Sequence, residues 1–338
     1  MRKLDLIKNN SKQIALKTIF TISCIFGMSS ANAVNYALAI VGNPNNSNDK
    51  TGFGAVNYTY QIGKYEVTIA QYTEFLNAVA SQSDPYALWN NSMMTPNIQG
   101  ISRSTTNSGK YTYTVMNTSS SGNSSANMPI TGVSWFNAAR FANWMANGQP
   151  SGIESNGTTE NGAYNLNGAK SGAAPAKNTI NPNTNAAPSY YIPSENEWYK
   201  AAYYNPALNN SSGGYYVYAT QSNTTPDNLV GNGSNLVNYL SDSGNGYCVS
   251  QSQLFDPMQT YLTNVGTFAG SQSAYGTFDQ NGSVWEWHDM TEIRSLSRGL
   301  RGGAWTSTPP YLQSSYRLIT IPSTISINVG FRLASTYP

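Results

Sequence analysis

The chain has 338 residues, of which 18 are Lys or Arg, 16 are Asp or Glu and one is His, and only 10% carry charge. Nucleic-acid binding needs a basic stripe to neutralise phosphates, and none is present. With two cysteines and one histidine, a Cys/His metal centre or a Ser-His-Asp triad has almost no raw material.

Residues 1–33 read as a secretory signal peptide. Arg2, Lys3, Lys8, Lys12 and Lys17 make a basic front end, Thr18 to Met28 an apolar core, and Ala31-Asn32-Ala33 a small-x-small cleavage site. A retained anchor is the alternative, but a bilayer span takes about 20 apolar residues and this run is shorter. The segment holds five of the 18 basic groups and one of the 16 acidic ones, leaving 13 against 15. The exported chain is therefore slightly acidic, and the localisation expected is secreted or periplasmic. No apolar run after residue 33 is long enough to span a membrane.

Residues 34–338 then form a single domain, with its core from about 56 to 335. Cys24 leaves with the signal, so Cys248 is alone and no intramolecular disulfide is expected. Solubility falls to uncharged Asn, Ser, Thr, Gly and Tyr.

Val56 to Ile62 alternates at the period of a strand. Thr68 is placed to cap a helix with Gln71 as its capping-box partner, and Tyr72, Phe75, Leu76 and Val79 follow at helical spacing. The Ser/Thr/Asn/Gly-rich stretch 102–127 is expected to be a long surface excursion. Ser134 caps a second helix with an apolar face of Trp135, Phe136, Ala139, Phe141, Ala142 and Met145, stopped by Gly148. A second polar loop spans 152–188. Tyr190 to Ile192 is a short strand, and Ser194 with Glu197 starts a third helix. From Asn264 to Leu333 run glycine-punctuated strands: NVGTF, YGTF, SVWEW, RGGAW and VGFRL. Helices early and short strands late predict an α+β fold with few long elements and much loop.

Six blocks carry a resemblance: GKYEVTIAQYTEFLNAV (63–79), PITGVSWFNAARFANWM (129–145), YIPSENEWYKAA (191–202), GTFDQNGSVWEW (276–287), LRGGAW (300–305) and VGFRL (329–333). In order and spacing they resemble the formylglycine-generating enzyme, or sulfatase-modifying factor, family. The resemblance implies an irregular α+β fold related to the C-type lectin fold. It also implies an oxygen-dependent oxidation of a substrate cysteine by two thiolates that hold Cu(I). Counted from Gly302-Gly303-Ala304-Trp305, those two positions fall on Ser307 and Leu312. A hydroxyl and an isobutyl group cannot replace soft thiolates, so copper is not expected.

The resemblance further implies structural Ca²⁺ on Asp279, the carbonyls of Gly282 and Val284, and Glu286, with oxygen donors that suit a hard cation. The alternative is that Glu286 pairs with Arg301 or Arg332 and Asp279 caps a turn. A second family calcium site would use Asn238 with Asp242 or Asp256. Of the remaining residues, His288 has no obvious nucleophile beside it and reads as structural. Arg301, Arg317 and Arg332 read as guanidinium groups that hold carboxylates or carbonyls. The tyrosines and asparagines of the variable loops line either an adaptable ligand surface or merely a charge-poor exterior.

Two functions follow from the resemblance. One is a non-catalytic binding or structural protein for a glycan, a peptide or an envelope protein. The other is a metal-dependent oxidoreductase of the same family, although the iron-dependent relatives take histidines from a helical domain that is lacking here.

Overall fold

The structure, a computed structural model, describes residues 33–242, 244–290 and 296–337. The expected signal peptide lies, apart from Ala33, outside the described residues. Chain order is β1 (Leu38–Val41), β2 (Tyr60–Gly63), α1 (Ile69–Val79), β3 (Ile101–Thr105), β4 (Tyr111–Val115), α2 (Trp135–Ala146) and α3 (Glu195–Tyr203). Short hairpins follow, β5 (Tyr204–Asn205) with β6 (Gly214–Tyr215) and β7 (Leu240–Ser241) with β8 (Gly246–Tyr247). The chain ends with β9 (Trp285–His288), β10 (Arg298–Arg301), β11 (Leu318–Thr320), β12 (Val329–Gly330) and β13 (Ala334–Thr336). This is the irregular α+β architecture that the sequence predicts.

Two sheets organise these elements. The order β1-β2-β13 is antiparallel, so the last strand returns to the second. The other sheet runs β11-β10-β9-β12, with β12 parallel to β9 and the remaining pairs antiparallel. No helix among the described residues is long and apolar enough to cross a membrane.

The three helices start where their caps place them. The Thr68 and Ser194 side chains each accept from the third helical N–H, and Gln71 and Glu197 return the bond. Each such cap satisfies donors that the first turn leaves open, worth about 1 kcal/mol. Ser134 caps α2 alone, and Gly148 at φ 80° follows its end. Tyr72 and Phe75 of α1 meet Phe141 of α2 at 5.9 and 5.3 Å between ring centres, and Phe331 closes the cluster at 5.5 Å from Phe141.

Four predicted elements are corrected. The strand predicted from Val56 is β2 and begins at Tyr60, because Val56 bonds to the preceding loop: its N–H donates to Asn46 Oδ1 and its carbonyl accepts from Asn45. The 102–127 stretch is not a simple excursion. It contains the hairpin β3–β4, whose Ile101 and Tyr113 are buried against the first helix. NVGTF and YGTF form turns rather than strands.

The 152–188 loop is also more buried than its composition suggests. Every residue of α2 is buried, including Asn137, Arg140 and Asn143. The loop covers the polar side of the helix. Asn143 donates to the Thr159 and Tyr164 carbonyls and accepts from the Tyr164 N–H. Arg140 forks onto both oxygens of Glu160 at 2.6 and 2.9 Å. Buried backbone groups must be paired, and here asparagine amides do the pairing. A loop poor in apolar residues can thereby join the core.

Candidate functional site

The C-terminal blocks converge beneath the turn Gly302-Gly303, both at positive φ. A Cβ on Gly303 would lie 2.5 Å from Leu312 Cδ2 and 3.4 Å from Ser307 Cβ. The two positions where the resemblance implies thiolates are thus brought together, on either side of one glycine. Both are committed to structure. Ser307 Oγ accepts the Ala304 N–H at 2.9 Å, and its carbonyl accepts from Leu240. Leu312 is fully buried with Tyr218, Val237 and Tyr239. Neither residue offers a soft ligand, so this pair does not fit copper(I).

Cys248 does not supply the missing chemistry. It is buried, and burial together with the nearby Asp227 pushes its thiol up to about 12. The reactive thiolate is scarce at any ordinary pH.

The residues expected to hold calcium lie close together but are otherwise engaged. Glu286 receives Arg332 in a two-pronged contact, Nε to Oε2 at 2.6 Å and Nη2 to Oε1 at 2.7 Å. Trp198 Nε1 donates to the same Oε2 at 2.8 Å. Arg332 also donates to the carbonyls of Gly63 and Phe278, tying the strand β2 to the motif loop. Oε2 thus carries two hydrogen bonds and Oε1 one, and in this arrangement Glu286 is engaged as the partner of Arg332. This is the alternative pairing, with Arg332 rather than Arg301 as the partner.

Asp279, at φ 60°, accepts the Gly266 N–H at 2.6 Å. Gly282 packs against the Asn238 carbonyl, which a Cβ there would meet at 2.2 Å, and Val284 sits in an apolar cluster. Asn238 is buried and donates to the Tyr261 carbonyl. Asp242 is exposed, and Asp256 accepts from Met258 in its own turn. Among the described residues, no group of three or more His, Cys, Asp or Glu is arranged to hold a metal.

Glu66 is the member of this cluster that sequence reasoning missed. It is 1% exposed, neither oxygen has a hydrogen bond, and Arg332 Nη2 stands 3.8 Å away. Burial, and then the charge of Asp279, push its carboxyl well above the usual range. Burial also raises Asp279 to about 6. One guanidinium thus faces three carboxyl groups, and Glu66 settles the imbalance by holding its proton. No local signal marks this role, because Glu66 and Arg332 are distant in the chain.

A second clamp lies beside His288 at the end of β9. Glu195 accepts Arg301 through Nε at 3.0 Å and Nη2 at 2.7 Å, and Arg317 at 2.7 Å. His288 is fully buried, with Nε2 3.9 Å from Glu195. Burial and the Arg301 charge hold its pKa well below normal, so the ring is neutral. Its face lies on Gly299, the opposing residue of β10, where a Cβ would come within 2.0 Å of the ring. No substrate could approach it there, and its role is packing.

Buried arginine clamps, glycine turns and short strands organise the C-terminal part of the domain. The chain belongs to the sulfatase-modifying factor family, matching its "sulfatase-modifying factor enzyme 1-like domain" over residues 46–337. A solved structure is similar in fold. Treponema denticola variable protein 1 is similar at TM-score 0.50 and 16% identity, over 91% of this chain and 98% of that one. CarF is similar at TM-score 0.47 and 15% identity, over 90% and 99%. PvdO from Pseudomonas aeruginosa is similar at TM-score 0.43 and 15% identity, over 89% and 92%. No curated protein matches the chain by sequence.

Proposed function

We propose that this chain is an exported, non-catalytic member of the family, secreted or periplasmic, that binds a glycan, a peptide or an envelope protein. The observation that carries this reading is the pair Ser307 and Leu312. Both positions are filled by side chains that hold the fold and cannot carry thiolate chemistry. Cys248, the one thiol beyond the signal segment, is buried and held protonated.

The test is to load the purified protein with Cu(I) and offer a peptide carrying a sulfatase-type cysteine motif. The expected result is no tight copper binding and no conversion of the cysteine. Conversion that disappears in Cys248→Ser would overturn the reading in favour of an oxidoreductase.

A further inference from the structure

A cleft of about 620 Å³ opens between the loop 43–50 and the hairpin β5–β6, apart from the residues of the candidate site above. Its volume falls within the range of small-ligand sites, roughly 300–1,000 Å³. We propose that this cleft binds a neutral oligosaccharide.

The walls are rigid. Tyr204 and Tyr215 meet edge to face at 5.0 Å between ring centres. Each hydroxyl end lies over a glycine at positive φ: a Cβ on Gly213 would lie 2.0 Å from the Tyr204 hydroxyl, and one on Gly54 2.5 Å from the Tyr215 hydroxyl. Only glycine permits that approach. Tyr215 donates to the Ser47 carbonyl at 2.8 Å and accepts from Asn46 at 2.6 Å. The rim is anchored from below, where Lys200 donates to the Asn43 carbonyl at 2.8 Å and the Tyr275 hydroxyl to Asn43 Oδ1 at 3.1 Å.

The rim also concentrates unusual backbone. Asn43, Asn45, Asn209, Asn210 and Ser211 have φ between 52° and 67°. Three of these are consecutive, although left-handed residues ordinarily occur singly. Such conformations gather at ligand clamps, where surrounding structure holds them. A site fixed in advance loses little entropy on binding.

The uncommitted groups identify the ligand class. Asn46 uses its amide on Gly54, Ser47, Tyr215 and Val56, and Asp49 accepts from Lys50 N–H, Thr51 and Tyr199. Both are structural. Asn48 spends its oxygen on Ala55, which leaves its NH₂. Asn45, Lys50, Ser212 and the Tyr204 hydroxyl make no side-chain bond within the described protein. The open groups are therefore mostly neutral donors and acceptors, flanked by two aromatic rings.

An amide presents a donor and an acceptor side by side, which matches neighbouring sugar hydroxyls, and the half-buried Tyr215, backed by the buried Tyr204, can meet a sugar's C–H face. An anion would find one lysine, and a cation would find Asp49 already spent. A peptide would be read along a strand edge, whereas these walls are turns and a two-residue hairpin.

This assignment rests on the binding function proposed above, and it names the ligand and the place. The experiment is isothermal titration calorimetry of the full chain with neutral di- to tetrasaccharides of hexoses and N-acetylhexosamines. Asn45→Gly removes the amide and keeps the left-handed backbone, and Ser212→Trp fills the cleft from its exposed edge. Saccharide binding by the parent, weakened about tenfold or more (about 1.4 kcal/mol) in both variants at unchanged melting temperature, is the expected result. Binding by both variants that equals the parent's overturns the cleft assignment while leaving a binding function intact. No binding of any saccharide overturns the inference, and the copper assay separately decides the broader reading.

Discussion

Arg332 grips both oxygens of Glu286 while its remaining N–H groups reach the carbonyls of Gly63 and Phe278. One side chain therefore joins three segments that are far apart in sequence. The pair is fully buried, so removing one partner strands the other's charge. Arg332→Met or Glu286→Gln alone should destabilise the protein by about 3–5 kcal/mol, and the double variant should recover much of that loss. Urea denaturation of the three variants measures this. Additive losses would show that the clamp is not a unit.

The same clamp bears on calcium. An ion on Asp279 and Glu286 would have to compete with a two-pronged guanidinium and the Trp198 N–H. The melting temperature is therefore expected to be the same in EDTA and in millimolar Ca²⁺. A calcium-dependent rise that Asp279→Asn removes would show that the clamp opens to admit the ion.

Glu154 gives a pH signature. Its buried carboxyl lies beside Asp84, and burial first, then that neighbour, raise it to about 9 from an ordinary 4.5. Between those values the folded chain keeps a proton that the unfolded chain releases. Stability from this group therefore falls as pH rises through the window and levels off above about 9. The slope is at most about 1.4 kcal/mol per pH unit. Asp279 acts in the same direction below about 6. His288, held neutral, acts oppositely and removes stability as pH falls below its unfolded value near 6.5. Glu154→Gln isolates one group: it should nearly match the parent near pH 4.5 and exceed it by a growing margin from there up to about pH 9. Parallel pH profiles for the two proteins would refute this account of Glu154.

Gly299→Ala should destabilise by about 1–3 kcal/mol, the usual range for overpacking, because the new methyl meets the buried His288 ring. Adding His288→Ala should relieve most of that loss. Thermal unfolding of the single and double variants is the measurement, and an undiminished loss in the double variant would assign it to the backbone instead.

Placing thiols at these positions, Ser307→Cys and Leu312→Cys, tests whether side-chain identity alone keeps copper from the site. Both positions flank Gly303, so the double variant should bind Cu(I) while the parent does not. The leucine truncation itself should cost about 2–4 kcal/mol. Equal copper binding by parent and variant would mean that another group takes the metal.

Much of the frame is legible in the chain itself. Thr68, Ser134 and Ser194 announce three helix starts because cap chemistry is local. The hairpin Ile101–Val115 is hidden because only Ile101, Tyr113 and their immediate neighbours alternate, inside a polar run. The buried loop 152–188 is hidden because its core contribution comes from Asn143 and Arg140 pairing with its backbone and Glu160, which composition cannot show. The blocks brought Asp279, Gly282, Glu286 and Asn238 to notice. That Glu286 is taken by Arg332, and that Glu66 completes the cluster, depends on contacts between distant segments. The cleft under Tyr204 and Tyr215 depends on the same kind of closure.

The asparagine bonds that sew loop 152–188 onto α2 have one more consequence. They are neutral, and the charged clamps are buried, so dissolved ions reach few of the interactions that keep the shape. With so few charges on its exterior, the protein also has little surface repulsion for salt to relieve. Its stability should change little between dilute and concentrated salt, which would suit the exported role proposed above.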